Sequence, residues 1–142
     1  MFRPLEGRRV IDLTQVLAGP YCAYQLAILG ADVIKVEPPE GGDWARAGGA
    51  DAALGQAGMG TGYLTQNAGK RSLAVDLKTP EGRDIVLALA DTADVFLENF
   101  RPGTAERLGL GFEAIRARNP AIVYASLSAY GQDGPMGARP AY

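Results

Sequence analysis

Short apolar, β-rich runs alternate along this chain with stretches whose apolar residues recur at helical spacing. Arg9-Val10-Ile11-Asp12-Leu13 reads as a first buried strand. Gly19-Pro20 then opens a run from Tyr21 to Leu29 that is apolar nearly all round and stops at Gly30, the pattern of a buried helix with a glycine C-cap. A second strand, Asp32–Glu37, ends at Pro38-Pro39, because neither proline can donate to a ladder. Arg71–Leu77 reads as a third strand. Thr79-Pro80-Glu81 is a helix start with a Thr N-cap, Pro at the first position and an acid in the first turn. That helix runs on through Ile85, Leu87, Leu89 and Ala90. Asp94–Glu98 is a fourth strand, Asn99–Leu108 a turn entering a short helix, and Phe112–Arg118 a further helix stopped by Asn119-Pro120. Ala121–Leu127 is the fifth strand. The alternation predicts an α/β fold, a mostly parallel sheet flanked by helices, with no internal repeat and no linker.

Glu40 to Asn67 breaks the pattern. With the adjoining Gly69 it holds nine of the 19 glycines, and it shows little periodicity. It reads as a long Gly-rich loop, with one helical turn near Tyr63–Gln66. A stretch of that length inside a compact domain is usually functional or covered by a partner.

Composition narrows the chemistry. The chain has 142 residues, 47% of them apolar and 21% charged, enough for one domain with a core. A formal charge of −2 gives no general attraction for nucleic acid or an anionic membrane. The single cysteine, Cys22, makes no internal disulfide, and the lack of histidine excludes Cys/His metal sites and imidazole catalysis from these residues. No metal is expected. The start lacks an apolar signal core, and no window approaches a membrane span, so a cytoplasmic location is the default expectation.

In open parallel sheets, ligands sit outside the carboxyl ends of the strands. Thr14–Pro20, the residues from Pro38 onward, Lys78-Thr79, Asn99–Gly103 and the residues from Ser128 onward fall there, with Lys78, Arg101 and Arg107 as phosphate-compatible cations. Helix N-termini after Gly19 and Thr79 favour anions. The same residues are also ordinary loop formers, so pattern alone leaves both readings open. Gly58-Met59-Gly60-Thr61-Gly62 and Gly109-Leu110-Gly111 do not sit between a strand and a helix, and so do not support dinucleotide binding. Lys70-Arg71 reads as a solvated turn.

Several segments, taken in order, resemble the amino-terminal part of the class III CoA-transferase family, also called CaiB/BaiF. They are Pro4–Leu13, Leu17-Ala18-Gly19-Pro20, Leu29–Glu37, Gly42-Asp43-Trp44-Ala45-Arg46 and Asn67–Ser72. Asp76-Leu77-Lys78, Glu98-Asn99-Phe100-Arg101-Pro102-Gly103 and Gly131-Gln132-Asp133-Gly134-Pro135 complete the set. The resemblance implies a Rossmann-like fold in which residues 1–142 form the amino-terminal part of a single CoA-binding large domain. It implies coenzyme A or acyl-CoA as substrate, a carboxylic acid as second substrate, and an interlocked homodimer in full-length form. Matching positions implied as CoA contacts are Leu17 and Ala18, then Val75, Asp76, Leu77 and Lys78, then Asn99, Phe100 and Arg101, with Arg107 as a phosphate partner. Arg139 and Tyr142 resemble a segment flanking the pantetheine arm. From the residues themselves, Val75 and Leu77 also read as core and Asp76 as a strand-end cap, whereas Lys78 and Arg107 have less packing reason to be where they are.

Two departures qualify the match. Many relatives carry arginine after the second strand where this chain has Pro38-Pro39, which leaves Arg46 or a residue beyond the chain end as the substitute. The family's nucleophilic aspartate lies in a later Gly-Asp segment, so no catalytic residue is expected among Asp12, Asp32, Asp43, Asp76 and Asp133, and the nucleophile is expected after Tyr142. The expected activity is acyl-CoA:carboxylate CoA transfer. The alternative within the family is 2-methylacyl-CoA racemisation, whose histidine base would stand at Tyr142; a phenol with a pKa near ~10 is poorly matched to that task. A second alternative is a non-catalytic CoA-binding fragment, truncated upstream of the nucleophile.

Overall fold

The computed structural model describes residues 2–139. Five strands, β1 (Arg9–Asp12), β2 (Asp32–Glu37), β3 (Arg71–Ala74), β4 (Val95–Glu98) and β5 (Val123–Ser126), form one sheet in the order β3-β2-β1-β4-β5. Every pairing is parallel, so the expected mostly parallel sheet is wholly parallel among the described residues. Ile11 lies between Ile34 and Phe96 in register, at the centre of the sheet.

Successive residues of a strand face opposite sides, and here each side has its own apolar cluster. Ile11, Ile34, Val36 and Phe96 pack with Val86 and Ala90 of α4 (Pro80–Ala90) and Ile115 of α6 (Phe112–Arg118). Val10, Val33 and Leu97 pack with Ala23 of α1 (Ala18–Ile28) on the other side. α2 (Ala52–Gln56), α3 (Thr61–Asn67) and α5 (Thr104–Arg107) complete the helices. Thr79 caps α4 as its sequence predicts, its Oγ1 accepting from Gly82 N at 3.1 Å.

Two elements differ from expectation. α1 is not buried all round: Ala23 is buried, but Tyr21, Ile28 and Leu29 lie on an exposed face. Nor is residues 40–67 a structureless loop. It folds into a 3-10 turn (Trp44–Ala47), α2 and α3, with Asp43 and Asp51 capping the first two by accepting from Ala45 N and Leu54 N. The glycines served a different end from flexibility. A Cβ on Gly60 would strike the Gly48 carbonyl, so this glycine lets two backbone segments pass in contact. None of the described helices is long and apolar enough to cross a membrane.

Candidate functional site at the carboxyl edge of the sheet

The strand order reverses beside β1: the chain builds β1, β2, β3 in one direction and then crosses back to β4. Ligands of open α/β sheets bind at such a switch point, outside the carboxyl ends. A cavity of about 490 Å³ opens there, lined by the loops after β1 (Gln15, Val16, Ala18), β4 (Asn99 to Pro102) and β5 (Leu127 to Tyr130), with Trp44 on one wall. A second cavity of about 560 Å³ shares Arg101, Pro102, Gly137 and Arg139 with the first and adds Arg107 and Gln132. The first is mainly apolar and the second carries three guanidinium groups, so together they suit a ligand with one apolar and one anionic end.

The loop after β1 is held by its own strand end and by side chains from three other places, Lys35 in β2, Asp43 after β2 and Asn99 after β4. Thr14 is bound to its own strand end, where Asp12 Oδ1 accepts from Thr14 N (2.9 Å) and Oγ1 (2.5 Å). The buried Lys35 ammonium donates to the Thr14 carbonyl and, at 2.8 Å, to Asp43 Oδ2. Asn99 grips Gln15 twice, accepting from its N–H and donating to its carbonyl, both at 2.8 Å. Asp43 Oδ1 accepts from Val16 N at 3.0 Å. Val16 sits at φ +72°, left-handed backbone that a β-branched residue very rarely adopts, at a cost of order 1–3 kcal/mol. Gly19 lies so close to Thr14 that a Cβ on it would collide with the threonine side chain, so α1 can start this near the loop only with glycine there.

Beneath the loop lies a buried ionic cluster. Lys70 donates to Asp12 Oδ2 (2.8 Å), Asn67 Oδ1 (2.8 Å) and the Pro20 carbonyl (2.9 Å), with its side chain 1% exposed. Lys70 is therefore not part of a solvated turn; an aspartate 58 positions away in sequence draws it inside. Burial pushes its ammonium pKa down, while Asp12 opposes the shift. Glu37 accepts from Arg46 through both oxygens (2.6 and 2.7 Å), from Asp43 N (2.9 Å) and from Tyr63 (3.0 Å). Burial alone would raise the Glu37 pKa, but the donors and charge of Arg46 together with the Asp43 N–H hold it at about 2. Burial, then the facing Glu37 charge, pushes the Tyr63 hydroxyl up to about 12. Arg46 is thus consumed by Glu37, Tyr63 and the Gly58 carbonyl, which answers against its standing in for the arginine missing at Pro38.

The residues expected to touch a ligand separate into groups. Ala18, Asn99, Phe100, Arg101 and Arg139 line the first cavity, and Arg107 lines the second. The Asn99 amide is spent on Gln15, so this residue shapes the cavity as well as lining it. Leu17 is exposed but does not line either cavity. The side chains of Val75 and Leu77 belong to the core, and Asp76 caps its own turn by accepting from Lys78 N at 2.9 Å. Lys78 is exposed near the end of β3, away from both linings. Tyr142 lies outside the described residues. Gln15, Val16 and Pro102 line the first cavity from segments expected at the strand ends, though none is singled out by the sequence, and Trp44 joins them from the Gly-Asp-Trp-Ala-Arg segment. Glu98 is buried too, and its carboxylate accepts from Phe100 N at 2.8 Å, shaping the turn that presents Asn99 to Arg101.

Comparison with known proteins bears on the fold and the family. The chain is 51% identical over 138 residues to Rv3272 of Mycobacterium tuberculosis, named as a probable fatty acyl-CoA transferase, covering 97% of this chain and 34% of that protein. It is 49% identical to a succinate–glutarate CoA-transferase of Agrobacterium fabrum, covering 93% of this chain and 34% of the relative. The crystal structure of an aspartate-to-alanine mutant of Rv3272 superposes with a TM-score of 0.89 at 50% identity, covering 99% of this chain and 37% of that one. A CaiB/BaiF family protein from Brucella suis gives a TM-score of 0.86 at 38% identity, with all of this chain and 38% of the other covered. The chain thus spans about a third of the length of the relatives it matches. Residues 5–142 match the profile of CoA-transferase family III, and the chain belongs to that family.

Proposed function

We propose that this chain supplies the CoA-binding part of an acyl-CoA:carboxylate CoA-transferase. The observation that carries the reading is the pair of joined cavities at the switch point. An apolar slot between Val16, Trp44, Phe100 and Leu127 suits the pantetheine arm, and Arg101, Arg107 and Arg139 suit the phosphates of CoA. The curated relatives include proteins named for CoA transfer between succinate and glutarate, which fits a carboxylic acid as the second substrate.

The proposed reaction runs through an aspartate beyond Tyr142. Its carboxylate attacks the thioester carbonyl and expels CoA thiolate, giving a mixed anhydride. The thiolate then attacks the aspartyl carbonyl, releasing the donor acid and leaving an aspartyl-CoA thioester. The acceptor carboxylate reverses the two steps and leaves with CoA. Within the chain, Asp12 and Asp43 are not available for this role, because each is buried against a lysine.

The test incubates full-length protein with succinyl-CoA and a panel of acids such as glutarate, then adds hydroxylamine or borohydride. Transfer of CoA with a trapped aspartyl adduct is expected. Exchange of the acyl-CoA α-proton into solvent without a trapped adduct would favour the racemase reading instead.

A further inference from the structure

Val16 is held at φ +72° in a loop where its own N–H is tied to Asp43 and the carbonyls of Thr14 and Gln15 to Lys35 and Asn99. Those three side chains reach the loop from beneath and from the β4 side. The Val16 carbonyl remains, and the Leu17 carbonyl beside it accepts from Tyr21 N at 2.9 Å as α1 begins. With its amide nitrogen turned to the loop, Gln66 donates to Leu17 O at 2.9 Å and to Val16 O at 3.1 Å. This orientation gives both ends of the amide suitable partners. We infer that Gln66 is a positioning residue for the cavity: it holds the peptide after Val16 and so keeps that residue in left-handed backbone.

The physical argument is one of balance. Left-handed valine is unfavourable and persists only where its surroundings over-determine it. Asp43 fixes the nitrogen side of Val16 and Gln66 its carbonyl side, so the two together set the torsions between them. Released at the carbonyl, Val16 can relax toward ordinary negative φ. Gln15, Val16 and Ala18, which form one wall of the first cavity, would then move together. Unlike the buried lysines, Gln66 is only partly buried and carries no charge, so its removal does not strand an ion. Its effect is therefore separable from folding.

The affinity readout rests on the reading of the cavity as a CoA site; the structural readout does not. Gln66→Met keeps the side-chain length and removes the donor. CoA affinity of the full-length protein is expected to fall about fivefold or more, with the thermal midpoint lowered by no more than about a few degrees, the size of a lost intramolecular hydrogen bond. In a Val16→Gly background, where left-handed backbone carries no penalty, the same substitution is expected to change affinity less than about twofold. A crystal structure of the Gln66→Met protein should show Val16 at negative φ. An equal loss of affinity in both backgrounds, no loss in either, or Val16 still left-handed in that structure would overturn the inference. If the unaltered protein does not bind CoA, the proposed function falls, and the Val16 torsion alone decides the role of Gln66.

Discussion

Along the carboxyl edge of the sheet, the half formed by β3, β2 and β1 holds Lys35, Arg46 and Lys70 against carboxylates. The half formed by β4 and β5 presents Arg101, Arg107 and Arg139, for which no ion pair exists among the described residues; Arg107 donates only to Thr104 Oγ1. The two sets of cations face opposite tasks. On the covered half, three positive and three negative side chains neutralise one another beneath the loop after β1, where they fix backbone rather than attract a ligand. On the open half the guanidinium groups keep their capacity for an anion. A buried ion pair adds little net stability over a well-packed apolar pair, but it penalises any arrangement that separates its partners. That penalty suits a cluster whose visible product is the geometry of Thr14–Val16.

The comparison is broken most directly by stranding one of the covered cations. Asp12→Ala leaves the Lys70 ammonium buried without its carboxylate and frees Thr14 as well. A loss of about 3–5 kcal/mol is expected in chemical unfolding. A loss below about 1 kcal/mol would mean that Lys70 is not held as described and that the covered half is no more rigid than the open one.

Acid offers a somewhat smaller perturbation. Glu37 is held at about 2 against an ordinary 4.5, so its contribution to stability is fully present above the unfolded value and is lost as pH falls from 4.5 toward 2. The folded protein resists protonation at this site, and the unfolded chain does not. The loss should amount to about 3 kcal/mol across that window. Unfolding midpoints measured at intervals between pH 7 and 2.5 give the slope, and Glu37→Gln should flatten it. An unchanged slope in that variant would assign the acid sensitivity to other carboxylates.

Local rules made the sheet legible, whereas the covered half depends on distant partners. The second strand, the Thr79-Pro80 helix start and the Phe112–Arg118 helix lie where apolar runs, caps and breakers put them. The polar pair Lys70-Arg71 after Gly69 has the local signature of a solvated turn, whereas the partner that buries Lys70, Asp12, is 58 residues away. The Gly-rich segment has the sequence pattern of a loop because α2 and α3 are short and their periodicity is weak. Aspartate caps and tight backbone contacts build it instead of an apolar stripe. One signal is present: Lys35 and Glu37 alternate with Ile34 and Val36 in a buried strand, followed by Gly-Asp-x-x-Arg, which supplies both their partners. Of the candidate site, Ala18, Phe100, Arg101, Arg107 and Arg139 were placed by the resemblance and fall on the cavities; the left-handed turn at Val16 had no local sign.

The finest test asks whether the proposed CoA footprint stays on the open half. Arg101 belongs to both cavities, so Arg101→Ala should weaken CoA binding about tenfold with no change in thermal midpoint, as for a lost charge-assisted hydrogen bond. Lys78 stands near the end of β3, exposed and outside both linings. An exposed ammonium that meets phosphate through solvent contributes little, so Lys78→Ala should cost about two- to threefold at low salt and almost nothing once salt shortens the screening length. Titrations of both variants at low and high salt separate the cases. If the Lys78 effect equals that of Arg101 and survives high salt, the ligand makes a direct contact across the covered half. The ionic cluster would then lie beneath a bound nucleotide, rather than beside one.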